Sequence, residues 1–411
     1  MLQLFRFDNK TVLSHLFSTS CVRRLESSNR PLSSFNIRFK KKLKPISTKF
    51  IALSLFSCSA LISQTAFAED SPRVLKIYNW SDYIAPNTLA NFEKETGIKV
   101  TYDVYDSNEL LESKLMAGNT GFDLVVPTSN FIAKQIDIGI YQPLDKNKLV
   151  NLDKLDPNMM ALLAKDDPDN TYAMPYMWAA SGIGYNVTKL NEIFKEGIPD
   201  GWSLIFDEAN ASKLQTCGIT WLNAPEDMFS MALTYLGLDP NSENPDDYKK
   251  AAEMLAKVRP YVKYIHSSSY ISDLANGDVC VSVGYGGDLY QSISRAKEAN
   301  RGVELNYFIP KEGTLGAFDA LVIPKDAQNV DEAYEFLNYL QKPEVIAEIS
   351  DYVFYANANL DAKPLMNQEI VNNPNIYPPK EILEKIYSLS VKSPKTERTL
   401  TRLWTDVITT K

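Results

Sequence analysis

The residues best equipped for chemistry fall in one stretch, Ile77 to Pro86, reading IYNWSDYIAP. A strand-like run (Val74, Leu75, Ile77, Tyr78) ends there. An indole, a hydroxyl, a carboxylate and a phenol then follow in order at Trp80, Ser81, Asp82 and Tyr83. Pro86 stops the segment before a helix begins. In open α/β sheets, ligands sit in the crevice outside the carboxyl ends of strands. A carboxylate among aromatic faces suits an organic cation, with the charge on Asp82 and the methylenes against Trp80 and Tyr83. The same residues also fit a turn with one buried Trp and a solvated Asp, and both readings stand on this stretch alone.

Nucleophilic and metal chemistry find little support elsewhere. Beyond residue 68 the only histidine is His266, beside Ser267, Ser268 and Ser269. There is no G-x-S-x-G, Walker A, H-E-x-x-H or Cys/His cluster with metal-ligand spacing. Gly284-Tyr285-Gly286-Gly287-Asp288 follows no dinucleotide fingerprint, and its glycines fit a tight turn or a close approach to a ligand. Acidic residues are abundant, but no spacing singles out a hydrolytic pair.

Strand and helix patterns alternate from Val74 onward, which points to an α/β sheet. Leu89 and Phe92 share a helix face ending at Gly97, and IKVTYDVY (98–105) alternates as a strand does. Asp106 with Glu109 resembles a capping box. FDLVV (122–126) is apolar enough to be covered on both faces and stops at Pro127-Thr128-Ser129, a second polar strand end. Met174 to Trp178 reads as a crossover between lobes, followed by a second α/β unit over residues 180–300. Strand-like sequence resumes at Phe308, and an amphipathic helix over Asp331–Leu340 closes at Pro343.

With 411 residues, 45% of them hydrophobic, the chain can bury a large core and divide into two domains. Charge divides unevenly: residues 1–68 carry a net +9 and the remainder a net −17. An acidic body argues against nucleic acid and is compatible with cationic ligands. Arg38–Lys49 is basic, Phe50–Ile62 apolar, and Thr65-Ala66-Phe67-Ala68 ends small-x-small. That order describes a secretory signal cleaved after Ala68. Leu55-Phe56-Ser57-Cys58 offers a lipoprotein alternative, which the bulky Phe56 fits poorly. Residues 1–37 fit neither signal nor domain. Past the leader only Cys217 and Cys280 remain, and two cysteines in an exported protein most simply form one disulfide, two buried thiols being the alternative.

Taken together, IYNWSDYIAP, NFEKETGIKV, GFDLVVP, AMPYMW, SDLANGDVC, IPKEG, VFYANAN and IYPP make the chain resemble the periplasmic polyamine-binding proteins of ABC importers, of the putrescine-binding type. The resemblance covers roughly residues 74–411. It implies a two-lobed type II binding-protein fold, each lobe a mixed sheet flanked by helices, with the ligand cleft between lobes. Lobe 1 is expected over 72–178 plus about 303–345, and lobe 2 over about 179–302 plus 346–411. It also implies a Cys217–Cys280 pair, a membrane permease as partner, a periplasmic location and a monomer without cofactor, metal or catalytic residues.

Carried over by motif, the cleft would contain Trp80, Ser81, Asp82, Tyr83, Thr128, Asp227, Tyr285, Asp288, Asp319 and Tyr355. Asp319 and Asp288 would take the amino groups, assisted by Asp82 and an acidic residue of the A-P-E-D segment. Thr128 stands where the family has Ser, Asp227 where it has Glu, Tyr285 where it has Trp, and Ala317 where an aromatic usually stands. Phe318 does not replace that aromatic, because neighbours on a strand face opposite ways. These departures leave putrescine, spermidine or a broader set of diamines open. A polyamine sensor and an exported hydrolase are the readings from other classes.

Overall fold

The computed structural model describes residues 72–410, so the expected signal segment, Cys21 and Cys58 lie outside the described residues. The strands are β1 (Val74–Trp80), β2 (Lys99–Tyr105), β3 (Leu124–Val125), β4 (Ala173–Asn186), β5 (Ile219–Trp221), β6 (Val262–Ile265), β7 (Val281–Tyr285), β8 (Leu305–Phe308), β9 (Thr314–Val322), β10 (Ala356–Asn357) and β11 (Ile386–Tyr387). They run in the order β2-β1-β3-β9-β4-β7-β5-β6, with β8 and β10 also paired to β4 and β11 to β9. β1 is parallel to β2 and β3, and β5 is parallel to β6 and β7, while β4 runs antiparallel to its neighbours and β9 antiparallel to β3 and β4 but parallel to β11. The connecting helices explain the parallel pairs, since parallel neighbours need a crossover.

Side-chain alternation assigns the segments of β1, β3 and β9 to two cores at once. Leu75, Ile77, Leu124, Val126, Leu321 and Ile323 enter one apolar cluster, while Tyr78, Val125, Ala320 and Val322 enter another on the opposite face. A separate cluster surrounds Ile183, Trp202, Trp221, Phe229, Val281 and Tyr307. β4 joins the two regions without a break. Ala173–Ala180 pair with β9, and Ser181–Tyr185 pair with β7. The expected crossover and the apolar run after it are therefore one 14-residue strand.

Packing places two segments differently from the expected lobe boundaries. Tyr307 and Leu315 are buried with Ile183 and Trp202, and β8 pairs with Ile183–Asn186. The stretch 303–315 thus packs with the second region. Ile346, Ile349, Val353, Ile370 and Ile376 are buried with Leu75 and Ile77, whereas Leu389, Leu400, Trp404 and Val407 join the cluster of Ile183. The helix Pro343–Val353 begins three residues beyond the end of Val330–Leu340 and lays its apolar side on the same sheet, which keeps this segment with the first region.

Helix ends show the local chemistry. Thr88–Thr96 ends at Gly97 with φ 75°, the left-handed position that glycine takes without a Cβ penalty. Asn108–Ala117 is capped by Ser107, whose hydroxyl accepts from Leu110 N at 3.3 Å; Asp106 instead accepts a bond from Ser81 at 2.7 Å. The cap therefore sits one residue past the expected Asp106. Cys217 and Cys280 are disulfide-bonded, their Cα atoms 5.5 Å apart. Among the described residues, no helix is long and apolar enough to cross a membrane.

Candidate functional site

The carboxyl ends of β1, β3 and β7 open onto one narrow cavity beside β9, with about 40 Å³ open to the centre of a water molecule. Nine of the ten expected residues line it: Trp80, Ser81, Tyr83, Thr128, Asp227, Tyr285, Asp288, Asp319 and Tyr355. Four aspartates supply its charge, Asp106 at the rim, where Ser81 donates to it, and Asp227, Asp288 and Asp319, and no Lys or Arg is among the lining residues.

Asp319 belongs to β9 and accepts from Thr128 Oγ1 at 2.7 Å and Tyr83 OH at 2.8 Å. Asp288 lies in the first turn of the helix Gly286–Ala299 and accepts from Tyr270 OH at 2.6 Å and Tyr355 OH at 2.8 Å. Asp227, in the first turn of Pro225–Tyr235, accepts from Tyr285 OH at 2.7 Å. Helix N-termini favour both of the latter as anions. Burial outweighs those hydroxyl bonds, pushing Asp319 up to about 6, Asp288 to about 7 and Asp227 to about 8. Each aspartate is thus an acceptor short of a positive partner.

Aromatic rings set the spacing of the two best-buried carboxylates. The rings of Tyr83 and Tyr355 meet edge-on at 4.6 Å, one bonded to Asp319 and the other to Asp288. Trp80 stands on the ring of Tyr105 at 4.7 Å and donates its indole N–H to Val126 O at 2.8 Å. An apolar chain between two charged ends would lie against these faces.

Asp82 is the exception. Its backbone takes φ 54°, and its carboxylate leaves the cavity to meet Arg295 Nη2 at 2.7 Å. Gln291 Nε2 donates to Asp82 O at 3.2 Å. Glu226, the other acid of A-P-E-D, is engaged by Lys134 Nζ at 2.7 Å, leaving Asp227 as the cavity's acid from that segment. Phe318 does not line this cavity while Ala317 and Asp319 do, as strand alternation requires. His266 is spent locally: its Nδ1 accepts from Ser268 N at 3.1 Å.

Sequence reasoning missed Tyr270, Tyr105 and Asn108. Tyr270 is buried beneath Asp288, and its hydroxyl also accepts from Tyr285 N at 3.2 Å. Asn108 brackets Thr128 with two bonds, its amide donating to Oγ1 at 2.9 Å and its carbonyl accepting from the backbone N at 3.0 Å. No spacing marks either one; a polar residue just after the strand end of IKVTYDVY was the signal available for Asn108.

Comparison with known proteins places this geometry. The family model of bacterial extracellular solute-binding proteins matches residues 87–378. The chain is 56% identical over 337 residues to the putrescine-binding periplasmic protein PotF of Escherichia coli K12, covering 82% of this chain and 91% of that one. It is 49% identical over 366 residues to the putrescine-binding periplasmic protein SpuD of Pseudomonas aeruginosa UCBPP-PA14, covering 89% and 99%. A solved structure titled as a putative spermidine/putrescine ABC transporter from Listeria monocytogenes superposes with a TM-score of 0.75 at 34% identity, covering 82% of this chain and all of that one. With its two mixed-sheet regions sharing β4 and β9, the chain belongs to the bacterial extracellular solute-binding proteins and has their type II fold.

Proposed function

We propose that this protein captures a polyamine, putrescine foremost, between two lobes in the periplasm and delivers it to the permease of an ABC importer. It binds its ligand without transforming it. The observation that carries this reading is a set of three aspartates, the buried Asp319 and Asp288 and the half-buried Asp227, held by hydroxyls around an aromatic-walled cavity lined by no cationic side chain. An alkyl diammonium completes that set, because each buried carboxylate gains a charged partner and each ammonium keeps its acceptors. In this reading one lobe comprises residues 72–179 and 317–377 and the other residues 181–315 and 386–410, so Asp319 and Asp288 come from opposite lobes.

Calorimetry with putrescine, cadaverine, spermidine, spermine and agmatine tests the ligand class, and heats of dilution alone for all five would sink it. Closure is tested separately. Small-angle scattering at saturating putrescine is expected to show a smaller radius of gyration than the free protein, and an unchanged radius would remove the clamp.

Proton linkage gives a further expected result. An alkylammonium stays charged through neutral pH, with a pKa of roughly 10. The aspartates, raised to about 6, 7 and 8, must be unprotonated to receive it. Affinity is therefore expected to fall as pH drops from 8 toward 5, with protons released on binding near neutrality. The free protein behaves oppositely. Carboxylates whose folded pKa is raised stabilise the fold most below their unfolded values, and that contribution is lost as pH rises through 6 to 8. Putrescine should then raise the melting temperature more at pH 8 than at pH 5, and an equal rise at both would contradict the assignment.

A further inference from the structure

We infer that the ligand cavity continues into a second, apolar chamber, and that the site accepts alkyl diammonium cations carrying an apolar substituent on one nitrogen. This rests on the polyamine reading above and extends it. A second cavity of about 860 Å³, open to solvent along Leu162, Leu383 and Val391, adjoins the first and shares five lining residues with it: Ser129, Gly316, Ala317, Ser388 and Leu389. Each of these five residues touches both spaces, and four of the five are small.

Backbone pairing leaves a gap there. β11 pairs with β9 through Ile386 with Thr314 and Tyr387 with Leu315, and the pairing then stops. The next residues on each side, Gly316–Ala317 and Ser388–Leu389, face both cavities without a ladder between them. Beyond the gap stand Trp178, Phe318, Met159, Leu162 and Leu383. The charged residues of the chamber are Lys165 and Asp166, adjacent and of opposite sign, so it offers an added ammonium no net attraction. An apolar group gains instead by leaving water against these side chains.

Position selects which nitrogen carries the substituent. Ala317 and Asp319 lie two residues apart on one face of β9, so the nitrogen held by Asp319 is the one beside the gap. A secondary ammonium retains two N–H donors for Asp319 while its second carbon substituent passes toward Phe318. The tail then lies in a chamber outside the ring of carboxylates.

N-benzylputrescine is the probe, because it keeps both charges and adds only an aromatic tail. Calorimetry on the exported protein is expected to place its Kd within about thirtyfold of putrescine's. Leu162→Lys touches the second chamber alone and is expected to weaken N-benzylputrescine about threefold or more, with putrescine unaffected. Ala317→Phe plugs the gap and is expected to lower the affinity of N-benzylputrescine relative to putrescine by about tenfold or more. Putrescine binding with N-benzylputrescine weaker by more than about thirtyfold would overturn the chamber and leave the polyamine reading intact. So would a ratio that neither substitution moves. Failure of putrescine itself to bind would remove the reading on which the chamber rests.

Discussion

Asp319→Asn and Asp288→Asn are each expected to weaken putrescine binding by on the order of 2–5 kcal/mol, roughly thirty- to several-thousandfold in Kd. Both aspartates are almost fully buried and each already holds two hydroxyl donors. An asparagine fits the same space but turns one acceptor into a donor and removes the charge. The ammonium at that end would then be desolvated without an anion, which is the costly half of a broken pair. Trp80→Ala should cost less, since it removes a packing face and leaves every charge matched. The unliganded protein should respond in the other direction. Burial already holds these carboxylates above their ordinary range, so neutralising one should leave the melting temperature without putrescine at pH 8 equal or higher. Titration calorimetry and thermal melting on the same samples check both halves. Unchanged affinity in either variant would show that the aspartate does not hold the ligand.

Replacing Cys217 and Cys280 together by alanine is expected to lower the unfolding free energy by roughly 2–5 kcal/mol. The residues are 63 positions apart, and tying a loop of that length removes freedom mainly from the unfolded chain, on the order of 4 kcal/mol by chain entropy. Neither sulfur lines the ligand cavity, so putrescine affinity should stay within about twofold of the parent's. Urea unfolding checks the first statement and calorimetry the second. An unchanged midpoint would show that the bridge adds nothing, and lost binding would mean the bridge shapes the site.

Much of this architecture is readable in the chain because short-range rules govern it. Period-two alternation separates Ala317 and Asp319 from Phe318, and the structure keeps that division. The polar strand ends after β1 and β3 do open onto the cavity. What escaped reading depends on partners far along the chain. Asp82 looks like the natural carboxylate of IYNWSDYIAP, yet its positive φ and Arg295, 213 residues later, take it elsewhere. Tyr270 sits on a helix with no mark of its use, because its role depends on Asp288 lying above it. The apolar side of Pro343–Val353 announces burial but not the sheet that receives it, which is the one carrying Leu75 and Ile77. Local pattern names the elements, whereas long-range packing chooses their neighbours.

Gly287 carries a consequence for ligand length. A Cβ at this position would come within 1.9 Å of Tyr355 Cδ2, so the phenol ring occupies the volume that any other residue would need. Tyr355 packs in the cluster of Leu75, and Asp288, one residue past the glycine, opens the helix on the other side of the cavity. The missing methyl group therefore fixes how near those two bodies come. An alanine there would act as a wedge, pulling Asp288 off Tyr355 and widening the bite between Asp288 and Asp319 without altering either charge. Selection for a longer diamine can thus proceed through the girth of this helix turn, leaving both carboxylates untouched.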